Sequence, residues 1–123
     1  MIETAKNTWQ NESFKVKDLF TFEKMENNNN NIIYADGILD VLINSAETLK
    51  YILSLNAEYV IINRINISDR TGYSIYKAYN VIDCVNFRFE ENFLNQLIKD
   101  GSYSIINKVS NQYNLFILKN NKF

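Results

Sequence analysis

The side chains able to do chemistry in this sequence are carboxylates and phenols, because it contains no histidine and a single cysteine, Cys84. Histidine is the side chain whose unperturbed pKa lies near neutrality. Its absence removes Ser-His and Cys-His nucleophile pairs and imidazole metal ligands. The acids open to general acid–base work are Asp36, Asp40, Asp83, Glu90 and Glu91. Glu90 and Glu91 are adjacent, so on a helix they point about 100° apart and suit the positive end of a helix dipole better than a shared site. Asp36 and Asp40 flank Gly37 in a stretch that reads as strand and turn, not as the helix that would put them on one face. No EF-hand spacing is present. Gly37, Gly72 and Gly101 stand too far apart to form a phosphate-cradling loop.

Asp83 sits among Val81, Ile82, Cys84, Val85 and Phe87. Aspartate is depleted in strands and costly to bury, so it reads either as an edge or bulge residue capping a turn or as a partner-binding carboxylate. Cys84 reads as a small buried hydrophobe. Strand periodicity places Tyr73 and Tyr79 on one face and Tyr76 on the other. With Arg64, Arg70 and Lys77 close by in sequence, the exposed face would be a Tyr/Arg recognition surface. The expected partner-binding residues are therefore Arg64, Arg70, Tyr73, Tyr76 and Asp83, with no catalytic residue, metal ligand or cofactor.

These side chains must be positioned by a chain of 123 residues, which points to one domain spanning residues 1–123. Hydrophobic residues make up 46% and aromatics 14%, a globular composition rich in tyrosine. The formal net charge of −1 forms no basic footprint for nucleic acid. Met1–Gln10 lacks a signal-peptide pattern, and no apolar run has the length needed to span a bilayer. With one cysteine, the expectation is a cytoplasmic protein without membrane contact.

Phe14–Glu23 alternates in part and reads as a strand, and the asparagine run at 27–31 as a flexible loop. Ile32–Tyr34 and Leu39–Ile43 read as short buried strands. Asn44 and Glu47 have capping-box spacing ahead of a helix with Ala46, Leu49, Ile52 and Leu53 on one face, ending near Asn56. Glu58–Ser68 is the best strand pattern, with Tyr59, Ile61, Ile65 and Ile67 on one face and Arg64 and Asn66 on the other. The cluster Ser68–Gly72 reads as a turn, predicting a hairpin over Glu58–Tyr79. Tyr73–Phe87 reads as one bent strand or two. Phe89–Asp100 has a helical apolar stripe, with Gly101 just past its end. Tyr103–Val109 and Tyr113–Leu118 read as the last strands. The expected fold class is α+β, a mainly antiparallel sheet with two short helices packed on it. The lack of strand–helix alternation throughout argues against a doubly wound sheet.

The order of INSAETLKYIL, NAEYVIINRINI, a glycine turn, YKAYNVIDCVNF and a final SIINKVSNQYNLFILKN resembles the bacterial immunity proteins of polymorphic toxin systems. The matching pieces are Ser45–Leu53, Tyr79–Phe87 and Leu115–Leu118. The resemblance implies neutralisation of a toxin by direct binding, without catalytic residues, and carries over Asp83 alone. Together with the missing histidine, it leads to the expectation of a non-enzymatic inhibitor of a protein target. The alternatives are a phage or mobile-element inhibitor of a host nuclease, of the anti-CRISPR kind, and a regulatory subunit pairing through an exposed strand. The contrasting class is an enzyme working with carboxylates or tyrosines alone.

Overall fold

The computed structural model describes residues 31–110 and 113–123. The strand expected over Phe14–Glu23 lies outside them, as does the asparagine run except for Asn31. Strand β1 (Ile32–Asp36), helix α1 (Ser45–Ser54) and strand β2 (Tyr59–Ile65) form a strand–helix–strand crossover, with β1 and β2 parallel. There follow β3 (Ile67–Ser68), β4 (Gly72–Ala78), β5 (Ile82–Glu90), α2 (Glu91–Asp100), β6 (Tyr103–Ser110) and β7 (Asn114–Asn120). One sheet has the order β1-β2-β7-β6 and the other β3-β5-β4. The fold class is α+β, and the pairs β2–β7, β6–β7 and β4–β5 are antiparallel. The β1–α1–β2 unit and the parallel pair β3–β5 make both sheets mixed.

The hairpin expected over Glu58–Tyr79 does not form. Both edges of β2 are occupied, by β1 and by β7, so the returning strand β4 pairs with β5 instead. The actual hairpin turns at Tyr79 and Asn80, with φ of 54° and 58°. Two left-handed residues are the mark of a type I′ turn, whose twist matches that of the flanking strands. The Val81 N–H donates to the Ala78 carbonyl at 3.1 Å and closes it. The buried strand expected over Leu39–Ile43 is a turn in which Leu39 is buried and Val41 and Ile43 are exposed.

Both helices follow their apolar spacing. Leu49, Ile52 and Leu53 of α1 and Leu94, Leu97 and Ile98 of α2 are buried. They pack on the sheet face that carries Ala35, Val60, Ile62, Phe116 and Leu118. The opposite face leaves Ile32 and Tyr34 exposed. Asn44 makes no side-chain cap bond, contrary to the capping-box spacing. At α2 the Glu90 carboxylate accepts from the N–H groups of Asn92 and Phe93, at 3.2 and 3.0 Å. That satisfies two of the four orphan donors of a helix start.

A buried polar network ties β2, β6 and β7 together. The Tyr103 hydroxyl donates to the Ala57 carbonyl at 2.6 Å. The Asn120 amide donates to Asn56 Oδ1 at 3.0 Å and to Ala57 O at 3.2 Å. Burial pushes the Tyr103 phenol above its usual value of 10.0, partly offset by its bond with Asn120.

Gly101 follows α2 as expected, but for a steric reason. Its φ is −77°, and the left-handed residue here is Ser102. A Cβ at Gly101 would lie 2.9 Å from Leu53 Cβ and Cδ1, so the two helices meet because nothing projects there. Gly101→Ala is expected to destabilise by about 1–3 kcal/mol through overpacking. Urea unfolding checks this: the midpoint falls, and an unchanged midpoint contradicts the packing account.

Candidate functional site

Where parallel strands of an α/β unit end, the backbone splays and ligands bind outside the carboxyl ends. In this chain that place is the end of β1 and β2, where Asp36, Gly37, Asp40, Asn63 and Arg64 come together. Gly37 has φ 67° and turns the chain away from β1. Its N–H donates to the Asn63 carbonyl at 3.3 Å.

Arg64 has φ 62° at a register shift between Asn63 and Ile65 in the β2–β7 ladder. This is a β-bulge, in which one extra residue bends the strand and re-aims a side chain. The expected face assignment of β2 fails here. Val60, Ile62 and Ile65 are buried, whereas Tyr59 and Ile61 lie on the other face. Uninterrupted alternation would carry Arg64 into the core after Ile62; the bulge lets Ile65 take that place. Arg64 Nε lies 3.2 Å from Asp36 Oδ1, and the Asn63 amide donates to the same oxygen at 3.3 Å. The guanidinium carbon stands 5.3 Å from the Tyr113 ring centre, a cation–π contact.

Asp40 sits on the turn behind this pair. Its carbonyl accepts from the Phe87 N–H at 2.8 Å, which ties the turn to β5. Its Oδ1 is buried and has no hydrogen-bond partner among the described residues. Burial raises its pKa above the usual 3.8; its own backbone amide and Arg64 lower it in part, and Asp36 raises it. The site thus holds one carboxylate fixed by two donors and one carboxyl that retains its proton to higher pH with an acceptor left open. The acids Asp36 and Asp40 were legible in sequence only as two carboxylates around a glycine. Their convergence with Arg64 comes from the crossover.

The expected binding residues are not brought to one place. Arg64 belongs to this site. Arg70 and Tyr73 meet on the β3–β4 turn, and Tyr76 and Asp83 lie farther along the β4–β5 hairpin. Asp83 is exposed, because its apolar neighbours Val81 and Ile82 are themselves exposed at the hairpin tip. It pairs with Lys77 at 3.8 Å, and both side chains are about two-thirds exposed, so the pair contributes little. Cys84 is only partly buried, opposite Tyr76, and not the core residue expected. A cavity of about 470 Å³ lies at the amino end of β2, between Lys50, Leu53, Leu97 and Asn120. It adjoins the carboxyl ends of both helices, away from the strand ends where ligands of such folds sit. Among the described residues no group of His, Cys, Asp or Glu is arranged to hold a metal ion.

No family model and no curated protein matches the sequence. Solved structures do. A SAM-dependent methyltransferase from Methanosarcina mazei matches with a TM-score of 0.66 at 10% identity, over 97% of this chain and 76% of that one. An S-adenosylmethionine-dependent methyltransferase from Mesorhizobium loti matches with a TM-score of 0.65 at 9% identity, over 97% and 75%. Magnesium protoporphyrin IX methyltransferase from Synechocystis, with bound SAM, gives 0.63 at 11% identity, over 96% and 51%. At these identities the likeness establishes the fold. It corrects the expectations of an immunity protein, of a non-enzymatic toxin inhibitor, of an anti-CRISPR protein and of a strand-pairing regulatory subunit. The fold is one that SAM-dependent methyltransferases use, and the apolar patterns behind the immunity-protein resemblance are shared by many sheets. The inference from missing histidine to a non-enzyme also falls, since reactions driven by cofactor chemistry and proximity need no imidazole.

Two measurements probe this edge. Asp40 has a raised folded-state pKa, so its contribution to stability is fully present below 3.8 and is lost as pH rises through the folded value. The stability of Asp40→Asn relative to the natural protein should therefore climb with pH across that window, read by urea unfolding; a flat difference contradicts the burial account. Arg64→Val should cost about 1–3 kcal/mol, since a β-branched residue is strained at positive φ. Arg64→Gly should stay within about 1 kcal/mol, because relief of strain offsets a lost exposed ion pair. Equal losses for the two variants would contradict the strained bulge.

Proposed function

We propose that this chain serves S-adenosylmethionine-dependent methyl transfer. The observation that carries the reading is the shared fold, found in six structures of five methyltransferases over 96–97% of the chain with TM-scores of 0.61–0.66. The chemistry of the edge suits that cofactor. S-adenosylmethionine offers an ammonium, hydroxyl donors and a cationic sulfur, and the edge offers the carboxylates of Asp36 and Asp40. The open, buried Oδ1 of Asp40 is an acceptor that a ligand donor would satisfy. The cofactor carries no phosphate, so the missing phosphate loop does not count against it. Asp36 and Asp40 are the residues that would hold it. When bound, it supplies an activated methyl group on sulfur.

The chain's own residues provide position. Arg64 and Asn63 both hold Oδ1 of Asp36, so its carboxylate loses little freedom on meeting a ligand. The Phe87–Asp40 backbone bond ties the turn that carries the second carboxyl to β5. A cytoplasmic setting belongs to the same proposal; among the described residues no helix is long and apolar enough to cross a membrane.

Thermal unfolding with S-adenosylhomocysteine tests the reading. At about 100 times Kd a native-state ligand stabilises by about 2.7 kcal/mol. The melting temperature should rise with ligand concentration, and the rise should shrink in Asp40→Ala. A melting temperature that does not move at millimolar ligand overturns the proposal.

A further inference from the structure

The turn between β3 and β4 lines a cleft of about 280 Å³. Its walls come from three strands. Ser68 ends β3, which runs parallel to β5 with Ser68 opposite Glu90. Gly72 begins β4 and stands opposite Arg88 of β5. Gly72 has φ 156°, a conformation favouring glycine, and nothing lies within 4 Å of where a Cβ would be. The space beside Arg88 is therefore open because the facing residue has no side chain.

The turn is held from within and from outside. The Ser68 hydroxyl donates to the Arg70 carbonyl at 2.8 Å and accepts from the Arg70 N–H at 3.2 Å. The Glu90 N–H donates to Thr71 Oγ1 at 2.9 Å, which fastens the turn to the start of α2. Arg88 is aimed by one bond, Nη2 to Ser74 Oγ at 2.9 Å. Its remaining guanidinium donors, and all those of Arg70, form no ion pair among the described residues. Thr71 adds a hydroxyl beside the same cleft, and Asp69 is the one acid that lines it. Two cations against one anion, with nearly all side-chain polar groups able to donate, is the inverse of the Asp36–Asp40 edge.

We propose that this cleft binds the oxyanion of a small molecule, a phosphate or carboxylate group, between Arg70 and Arg88. Guanidinium groups match such oxygens with paired N–H bonds, and hydrogen bonds of this kind are shorter and stronger than neutral ones. Asp69 favours a ligand that also carries a hydroxyl or ammonium group. The binding does not depend on the methyl-transfer reading and can hold if that reading fails.

Titration of the full chain with sodium phosphate, sodium acetate and sodium chloride at matched ionic strength, followed by amide NMR, tests the site. Phosphate or acetate should give saturable shifts confined to Ser68–Tyr73 and Arg88, and the tighter of the two identifies the oxyanion. Arg70→Gln and Arg88→Gln should each weaken that binding about tenfold, or 1.4 kcal/mol. Arg70→Lys should recover only part of it, because a lysine keeps the charge and loses the fork. Unchanged amide shifts outside the turn confirm that the variants fold. Shifts that stay linear and equal those with chloride overturn the proposal, as does unweakened binding in both glutamine variants.

Discussion

Arg64 is held at φ 62° so that its guanidinium stays out of the core. The strand that carries it, β2, is paired on both edges and buries Val60, Ile62 and Ile65. Without an extra residue in the ladder, the side-chain alternation would bury Arg64 instead of Ile65. An unpaired buried charge costs far more than the roughly 1–2 kcal/mol of a left-handed residue, so the bulge wins. The bulge also turns the guanidinium to the strand's carboxyl end, where Asp36 and Tyr113 receive it. One local irregularity thus settles both the packing of the central strand and the charge layout of the site.

The occupancy of β2 has a second consequence. With β1 on one side and β7 on the other, no edge is left for the strand that follows. The chain leaves the main sheet after Ile65, and β3, β4 and β5 make a small sheet of their own. That departure exposes Tyr73, Tyr76 and Ile75 along the hairpin and opens the cleft between Arg70 and Arg88. The strand-end site and this cleft have opposite electrostatic character, one rich in acceptors and the other in donors. They follow from one topological fact, that the crossover and the final hairpin share β2.

Much of the local structure could be read from spacing. The stripes Leu49, Ile52, Leu53 and Leu94, Leu97, Ile98 each mark a helix, because 3.6-residue periodicity selects one buried face. Glu90 could be placed at a helix start by charge alone. The last two strands were legible from their apolar runs on either side of a polar tripeptide. Pairing was not. The expected hairpin over Glu58–Tyr79 rested on a glycine turn, and a turn specifies only that the chain reverses locally. Asp83 looked anomalous because its neighbours are apolar; at an exposed hairpin tip those neighbours are exposed too.

By itself, the sequence determined which chemistry is open to this protein: carboxylates, guanidinium groups and phenols, without imidazole and without a phosphate loop. It also determined the two helices and most of the strands, since periodicity acts over a few residues. Tertiary structure decided which strands pair, and with that which polar residues meet. Asp36 and Arg64 are far apart in sequence and 3.2 Å apart in space because β1 and β2 run parallel and end together. Arg70 and Arg88 line one cleft because β4 and β5 run antiparallel. Long-range pairing is set by the competition of every strand for every edge, a property of the whole chain that no short window of residues contains.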